Sequence, residues 1–248
     1  MALGKGRNDG LRCAPPILRA LGEGDAHMYR YSSRKFNDLL RVMGCIRIGT
    51  LYDFRRIEHG HGIGDPREGT KAVGHHIDHL FVGNPSDPHL TENKDMRALK
   101  AFRAVEIGKE ARNTTIRNMS VSRSVDVPDC FILCSSKYKS KEAMNQFEGA
   151  DSCVQIVDVG AFYRRVTQAI DRITPVIFRG IFEVTYQERE ELWNGRDWGR
   201  HPALIKEPKY IQQGELRAIW QPQFQHEIEP LITGDYRLGA YVKYVHIE

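Results

Sequence analysis

Apolar and polar residues along this chain recur in two rhythms, one of period 3.6 and one of period 2. Phe36, Leu39, Leu40 and Met43 fall at i, i+3, i+4 and i+7, which predicts one apolar helical face. Before them, Met28 to Tyr31 is short, aromatic-rich and strand-like, and Ser32 or Ser33 can cap the helix. Gly44 ends it, and Cys45-Ile46-Arg47-Ile48 alternates as a half-buried strand does. The segment from His27 to Phe54 therefore reads as strand, helix, strand, with Arg30 inside the first strand and Tyr52 just past the second.

The same reading continues down the chain. Lys71 to Val82 predicts a strand, and Met96, Leu99, Phe102 and Val105 predict a helix over Lys94 to Val105. Thr114 to Val125 reads as extended. Asp129 to Cys134 reads as a buried strand that ends at Ser135-Ser136. A short helix from Ser140 to Phe147 closes at Gly149, and Ser152 to Val157 is another strand. Asp158 caps a helix with Phe162, Val166, Ala169, Ile170 and Ile173 on one face. Pro175 to Tyr186 gives one or two strands. Arg189 to Arg200, with Trp193 and Trp198 among charges, reads as an exposed excursion. A strand starts at Glu215 and a last one runs from Val242 to Ile247. Strands and helices mix without a regular βαβ alternation, which predicts an α+β fold. No repeat or linker is visible, so residues 27–248 read as one domain and residues 1–26 as a flexible lead-in.

Composition adds bounds. A net charge of +4 over 248 residues permits contact with an anion such as a dinucleotide or nucleic acid without demanding it. No apolar run approaches membrane-span length and the N-terminus lacks an apolar signal core, so the expectation is a cytoplasmic protein with no membrane partner. The five cysteines, Cys13, Cys45, Cys130, Cys134 and Cys153, form no C-x-x-C pair and fit free thiols in a reducing compartment.

Candidate chemistry is sparse. His59, His61, His75, His76 and His79 invite a metal reading, but the first two lie in a glycine-rich loop. On an extended chain His75 and His79 would stand about 13 Å apart, so no metal is expected. Gly60 to Gly64 is no phosphate-binding fingerprint; it is either a flexible loop or a substrate loop following Tyr52. Ser135 and Ser136 lack an obvious base and suit polar support of a ligand better than nucleophilic attack. Glu215 heads a strand whose Leu216, Ala218 and Trp220 face one side and whose Glu215, Arg217 and Ile219 face the other. The bland alternative for it is a surface ion pair with Arg217, which contributes little.

The order Tyr29-Arg30-Tyr31, helix, Ile46 to Thr50, and late Gln213-Gly214-Glu215 resembles the ADP-ribosyltransferase superfamily, closest to bacterial toxins and defence effectors acting on DNA or RNA. Most of the chain also resembles a widespread uncharacterised bacterial family. The matching motifs are Tyr29/Tyr31, Asp65-Pro66-Arg67-Glu68, Leu133-Cys134-Ser135, the strand from Cys153 to Asp158, and Lys206/Tyr210/Glu215/Arg217. In the first resemblance the loop variant Gln-x-Glu matches Gln213-x-Glu215. The chain departs from the second, with Ile63-Gly64 where a Phe-Asn is usual and Cys134-Ser135-Ser136 in place of Ser-Thr-Ser.

The resemblance implies an ADP-ribosyltransferase-like mixed sheet with flanking helices and loop insertions, and NAD as substrate. It implies Glu215 as the catalytic residue, with Arg30, Tyr31, Ser32, Tyr52, Ser135 and Gln213 around NAD; whether Tyr52 or Ser135 fills the middle role stays open. It further implies DNA or RNA as the favoured acceptor and an antitoxin as a neutralising partner. An NAD glycohydrolase is one alternative and a non-catalytic nucleic-acid-binding module of the same fold is another. The enzyme reading expects Arg30 and Glu215 in one cleft; the module expects a contiguous basic face and no such cleft.

Overall fold

The computed structural model of the chain describes residues 27–56, 64–224 and 226–247. The expected lead-in, residues 1–26, and the glycine-rich stretch with His59 and His61 lie outside them. In chain order the strands are β1 (Met28–Ser32), β2 (Cys45–Thr50), β3 (Thr70–Val82), β4 (Thr114–Asp126), β5 (Phe131–Ser136), β6 (Ser152–Ile156), β7 (Val176–Glu183), β8 (Thr185–Tyr186), β9 (Glu190–Leu192), β10 (Ile205–Lys206), β11 (Glu215–Pro222), β12 (Leu231–Gly234) and β13 (Val242–Val245). The α-helices are α1 (Arg34–Asp38), α2 (Lys94–Phe102), α3 (Lys141–Met144) and α4 (Val159–Asp171). The fold is mixed α+β.

Contacts divide the chain into two compact units rather than one: Met1–Gly69, Pro128–Gln187 and Ala203–Glu248 form the first, and Thr70–Val127 with Glu188–Pro202 the second. The second unit comes from two separated stretches that begin and end beside regular strands. No polar linker marks it, so the sequence reads as continuous.

In the first unit β5 is the hub. Along one edge it pairs antiparallel with β11 over its whole length, from Glu215↔Ser136 to Trp220↔Phe131. Its other edge is shared: β2 pairs at Phe131 and Ile132, and β1 pairs at Ser136. The sheet continues from β1 to β6 and β13, from β11 to β7, and from β2 to β12. One face of this sheet is apolar. Met28, Leu133, Val154, Leu216, Ala218 and Trp220 pack with Phe162, Tyr163, Val166 and Ile170 of α4 in a single cluster. Such burial is the main favourable term in folding. Helix α4 starts where the Asp158 carboxylate accepts the Ala161 N–H at 2.8 Å, as its sequence predicts.

The apolar stripe of α1 is less regular than its spacing predicts. The helix passes into a π-turn over Leu39–Met43, which rotates the stripe. Asn37 and Leu40 are buried, whereas Phe36 and Met43 are exposed. Gly44 then turns at φ 67, and a Cβ there would lie 1.8 Å from the Asp235 carbonyl oxygen, so no other residue fits.

In the second unit β3 and β4 form a long antiparallel ribbon, and β9 adds parallel to β3 through Ala72↔Glu190 to Gly74↔Leu192. Ile77, Leu80 and Val82 pack with Leu99 of α2. The stretch around Trp193 is no exposed excursion. Trp193 is buried with Val73 and Ala98, and Phe102 and Trp198 pack against it. Of the charges flanking Trp193 on the chain, Glu191 accepts from the Lys71 ammonium, which also donates to the Trp198 carbonyl.

Candidate functional site

The register of the central strands places the site residues. Tyr29 of β1 stands opposite Ser136 of β5, Ser136 opposite Glu215 of β11, and Tyr29 opposite Gln155 of β6. Register partners point to the same side of a sheet and neighbours along a strand to opposite sides. Tyr29, Tyr31, Cys134, Ser136, Glu215 and Arg217 therefore share one face, opposite the face that packs on α4.

On that face the charged side chains close on one another. Glu215 accepts from Arg217 Nε through Oε1 at 2.6 Å and from Lys206 Nζ through Oε2 at 2.7 Å. Arg217 Nη1 and Nη2 donate to Glu68 Oε1 and Oε2 at 2.7 and 3.1 Å, and Nη1 also reaches the Ala203 carbonyl at 2.7 Å. Lys206 Nζ donates in addition to Gln213 Oε1 at 2.6 Å and lies 5.1 Å from the centre of the Tyr210 ring. The side chains of Glu215, Lys206, Arg217 and Glu68 are 1%, 5%, 2% and 2% exposed. Two acids and two bases alternate, so the buried cluster is neutral, which is the condition for burying charge at all.

Electrostatics follow from this geometry. Burial by itself pushes the Glu215 carboxyl up, but the charges and hydrogen bonds of Arg217 and Lys206 outweigh it and hold the group well below the ordinary carboxylate range. Burial likewise pulls the Arg217 guanidinium down, and Glu215 and Glu68 reverse the sign, leaving it more firmly charged than usual. Glu215 is thus a fixed anion. Its two oxygens hold one cation each, the Cys134 thiol interacts with the carboxylate as well, and its side chain is 1% exposed.

The backbone beside Glu215 is pinned. Its N–H donates to the Tyr186 hydroxyl at 2.7 Å. The Ser136 hydroxyl donates to the Gln213 carbonyl at 2.6 Å and accepts the Tyr138 N–H at 3.0 Å. Tyr31 stacks on Phe147 at 5.9 Å; its hydroxyl donates to the Tyr138 carbonyl at 2.7 Å and accepts the Ser140 N–H at 2.9 Å. Burial pushes the Tyr31 hydroxyl up to about 12.

The predicted residues divide. Glu215, Gln213 and Tyr31 come together. Arg30 does not: one residue from Tyr29, it projects to the α4 face, and the expectation that Arg30 and Glu215 line one cleft is corrected. Its guanidinium donates to Asn37 Oδ1, and Asn37 Nδ2 donates to the Ser152 hydroxyl at 2.8 Å, which ties α1 to the sheet. Burial pulls Arg30 down to about 10, against the pull of Tyr163. Ser32 has the same parity as Arg30, and its carbonyl accepts from the Ser152 hydroxyl at 3.0 Å. Ser135 is also on the α4 side, its hydroxyl 3.3 Å from the Tyr163 hydroxyl and 3.8 Å from the Met28 sulfur. Tyr52 lies beyond the opposite end of β5 from Ser136, its N–H donating to Asp129 at 2.9 Å and its ring 4.0 Å from the Arg55 guanidinium. Arg55 Nε in turn donates to the Glu68 carbonyl at 2.7 Å, which links Tyr52 to the cluster through Arg55. Neither Tyr52 nor Ser135 shares the face of Glu215; Ser136 does. Tyr186 escapes the sequence reading, since nothing local distinguishes it; the sequence offers Ser136 beside Ser135 as polar support, and only parity separates the two serines.

Two further features bear on the predictions. His75 is held by Asp95 at 2.7 Å and His76 bonds Ser120 at 2.8 Å. Among the described residues no three His, Cys, Asp or Glu side chains converge as a metal site requires, and no helix is long and apolar enough to cross a membrane. Comparison with protein-family models, with curated proteins and with solved structures finds no match to the chain.

Proposed function

We propose that the first unit is an ADP-ribosyltransferase-like domain that takes NAD as substrate and transfers ADP-ribose to a macromolecule, nucleic acid by preference, with Glu215 as the catalytic carboxylate. The observation that carries this reading is the single rung Tyr29–Ser136–Glu215. Three remote segments, a first, a middle and a late strand, meet on one face, although with Tyr29 and Ser136 where the resemblance implies Arg30 and Tyr52 or Ser135. The remaining motif residues, Tyr31, Glu68, Lys206, Tyr210 and Arg217, gather on or around the same face. Arg30 has no part in the site. The grip on NAD falls instead to the Tyr29 and Tyr31 rings, which can stack.

The chemistry is dissociative. The bond between nicotinamide nitrogen and ribose carbon breaks, its electron pair leaves with nicotinamide, and the ribose becomes oxocarbenium-like, as in glycoside cleavage. Glu215 stabilises that charge and orients a ribose hydroxyl. The acceptor supplies the electron pair of the new bond and its proton passes to solvent.

A second reading, a non-catalytic nucleic-acid-binding module, is favoured because the enzyme reading's expectation of Arg30 and Glu215 in one cleft is not met: they lie on opposite faces, and Glu215 is buried with a cation on each oxygen. Incubation with NAD labelled on its adenylate half, together with single-stranded DNA, RNA or lysate, separates the readings. Label on the macromolecule supports transfer. Free ADP-ribose and nicotinamide in equal amounts mark a glycohydrolase. Intact NAD with every acceptor leaves the module.

A further inference from the structure

Residues 137–141, Lys-Tyr-Lys-Ser-Lys, cross the end of β5 beside Glu215. We infer that this loop is a docking strip for single-stranded nucleic acid, with Tyr138 stacking a base and Lys139 and Lys141 holding the flanking phosphates. The inference deepens the proposed function by naming the acceptor's surface. It rests on that reading for the strip's purpose, not for its geometry.

The strip is held by its backbone and open at its side chains. The Lys137 N–H donates to the Gly214 carbonyl at 2.9 Å, Ser136 and Tyr31 bond both ends of Tyr138's peptide unit, and Ser140 caps α3. Tyr138 rests on Gly214, where a Cβ would come within 2.4 Å of the ring, yet it remains 42% exposed. Gly214 turns at φ 50 immediately before Glu215, so the ring lies directly beside the proposed catalytic residue. Lys139 and Lys141 are exposed and form no ion pair among the described residues. Lys137 is engaged: its ammonium pairs with Glu183 and lies 5.2 Å from the Tyr138 ring centre. That exposed cation–π contact is weaker than the stacking of a base on the same ring, so a base can displace it. Alternating aromatic and cation on a preordered backbone is the chemistry that binds a single strand without regard to its sequence. A duplex presents no free base face to Tyr138.

The test is equilibrium binding of a fluorescent 12-nucleotide single strand, without NAD, over a range of salt concentrations. The parent should bind, and Lys139→Ala/Lys141→Ala should lower the slope of log affinity against log salt by about 1.4, two contacts at about 0.7 each. Tyr138→Ala should weaken binding about five- to a hundredfold, and Tyr138→Phe should keep it. Lys94→Ala/Lys109→Ala, which removes two exposed lysines of the second unit, should keep the parent slope. The inference is overturned if the parent does not bind at low salt, if the Lys139/Lys141 variant keeps the parent slope, or if a duplex or an acidic peptide competes as well as the single strand. NAD consumption is assayed separately. Loss of strip binding with NAD turnover intact discards the strip alone; binding without NAD turnover discards the catalytic reading alone.

Discussion

Arg217 holds Glu68 in a two-pronged pair, Nη1 to Oε1 at 2.7 Å and Nη2 to Oε2 at 3.1 Å, closed off from solvent. A pair of this kind contributes little over an apolar replacement, but breaking it strands a buried charge. Glu68→Gln or Arg217→Leu should therefore each cost about 3–5 kcal/mol. Arg217→Leu should cost more, since it also deserts Glu215. The double variant should cost less than the sum of the two. Urea unfolding of the four proteins measures this; strictly additive losses would mean the two side chains do not interact.

The depressed Glu215 carboxyl makes a prediction in acid. Its unfolded value is near 4.5, ordinary for a glutamate, and its folded value lies well below. The stabilisation is thus fully present above about pH 4.5 and is lost as pH falls towards the folded value. Unfolding midpoints measured from pH 7 down to pH 3 should decline more steeply for the parent than for Glu215→Gln. Parallel curves would show that Glu215 is not held acidic by Arg217 and Lys206.

Arg30→Ala should loosen α1 by removing the bond to Asn37, at a cost of about 1.5–3 kcal/mol for a hydrogen bond to a charged group. It should leave NAD affinity unchanged, because Arg30 faces α4. A loss of NAD affinity without loss of stability, read by calorimetry beside thermal melts, would restore Arg30 to the site.

Trp193→Ala should destabilise the second unit by about 3–5 kcal/mol, the cost of emptying a large aromatic site. Hydrogen exchange of the β3 and β4 amides should rise. Unchanged protection there would mean that Trp193 is not a core residue.

Much of the fold is legible from local pattern. The alternation in β11 assigns Leu216, Ala218 and Trp220 to one face and Glu215 and Arg217 to the other, and Asp158 marks the start of α4. What is illegible depends on pairing between distant segments. Which side of the sheet Arg30 shares with Glu215 is decided by the registers β1–β5 and β5–β11, and a one-residue difference in parity exchanges Arg30 for Tyr29 and Ser135 for Ser136. The Glu215–Arg217 pair is visible as a same-face pair. That it is buried depends on Glu68, Ala203 and Lys206, which arrive from elsewhere in the chain. Trp193 misleads because its neighbours on the chain are charged while its neighbours in space are Val73 and Ala98.

The central claim is that Glu215 acts on NAD in the transition state, and the most direct measurement is NAD binding by calorimetry beside nicotinamide release for the parent and Glu215→Gln, both shown to be folded by circular dichroism. The amide keeps the shape and loses the charge that meets the developing cation. Binding should therefore stay within a few-fold while release falls on the order of a hundredfold or more. Release by Glu215→Gln at the parent rate, or a parent that neither binds nor consumes NAD with any acceptor, would contradict the claim.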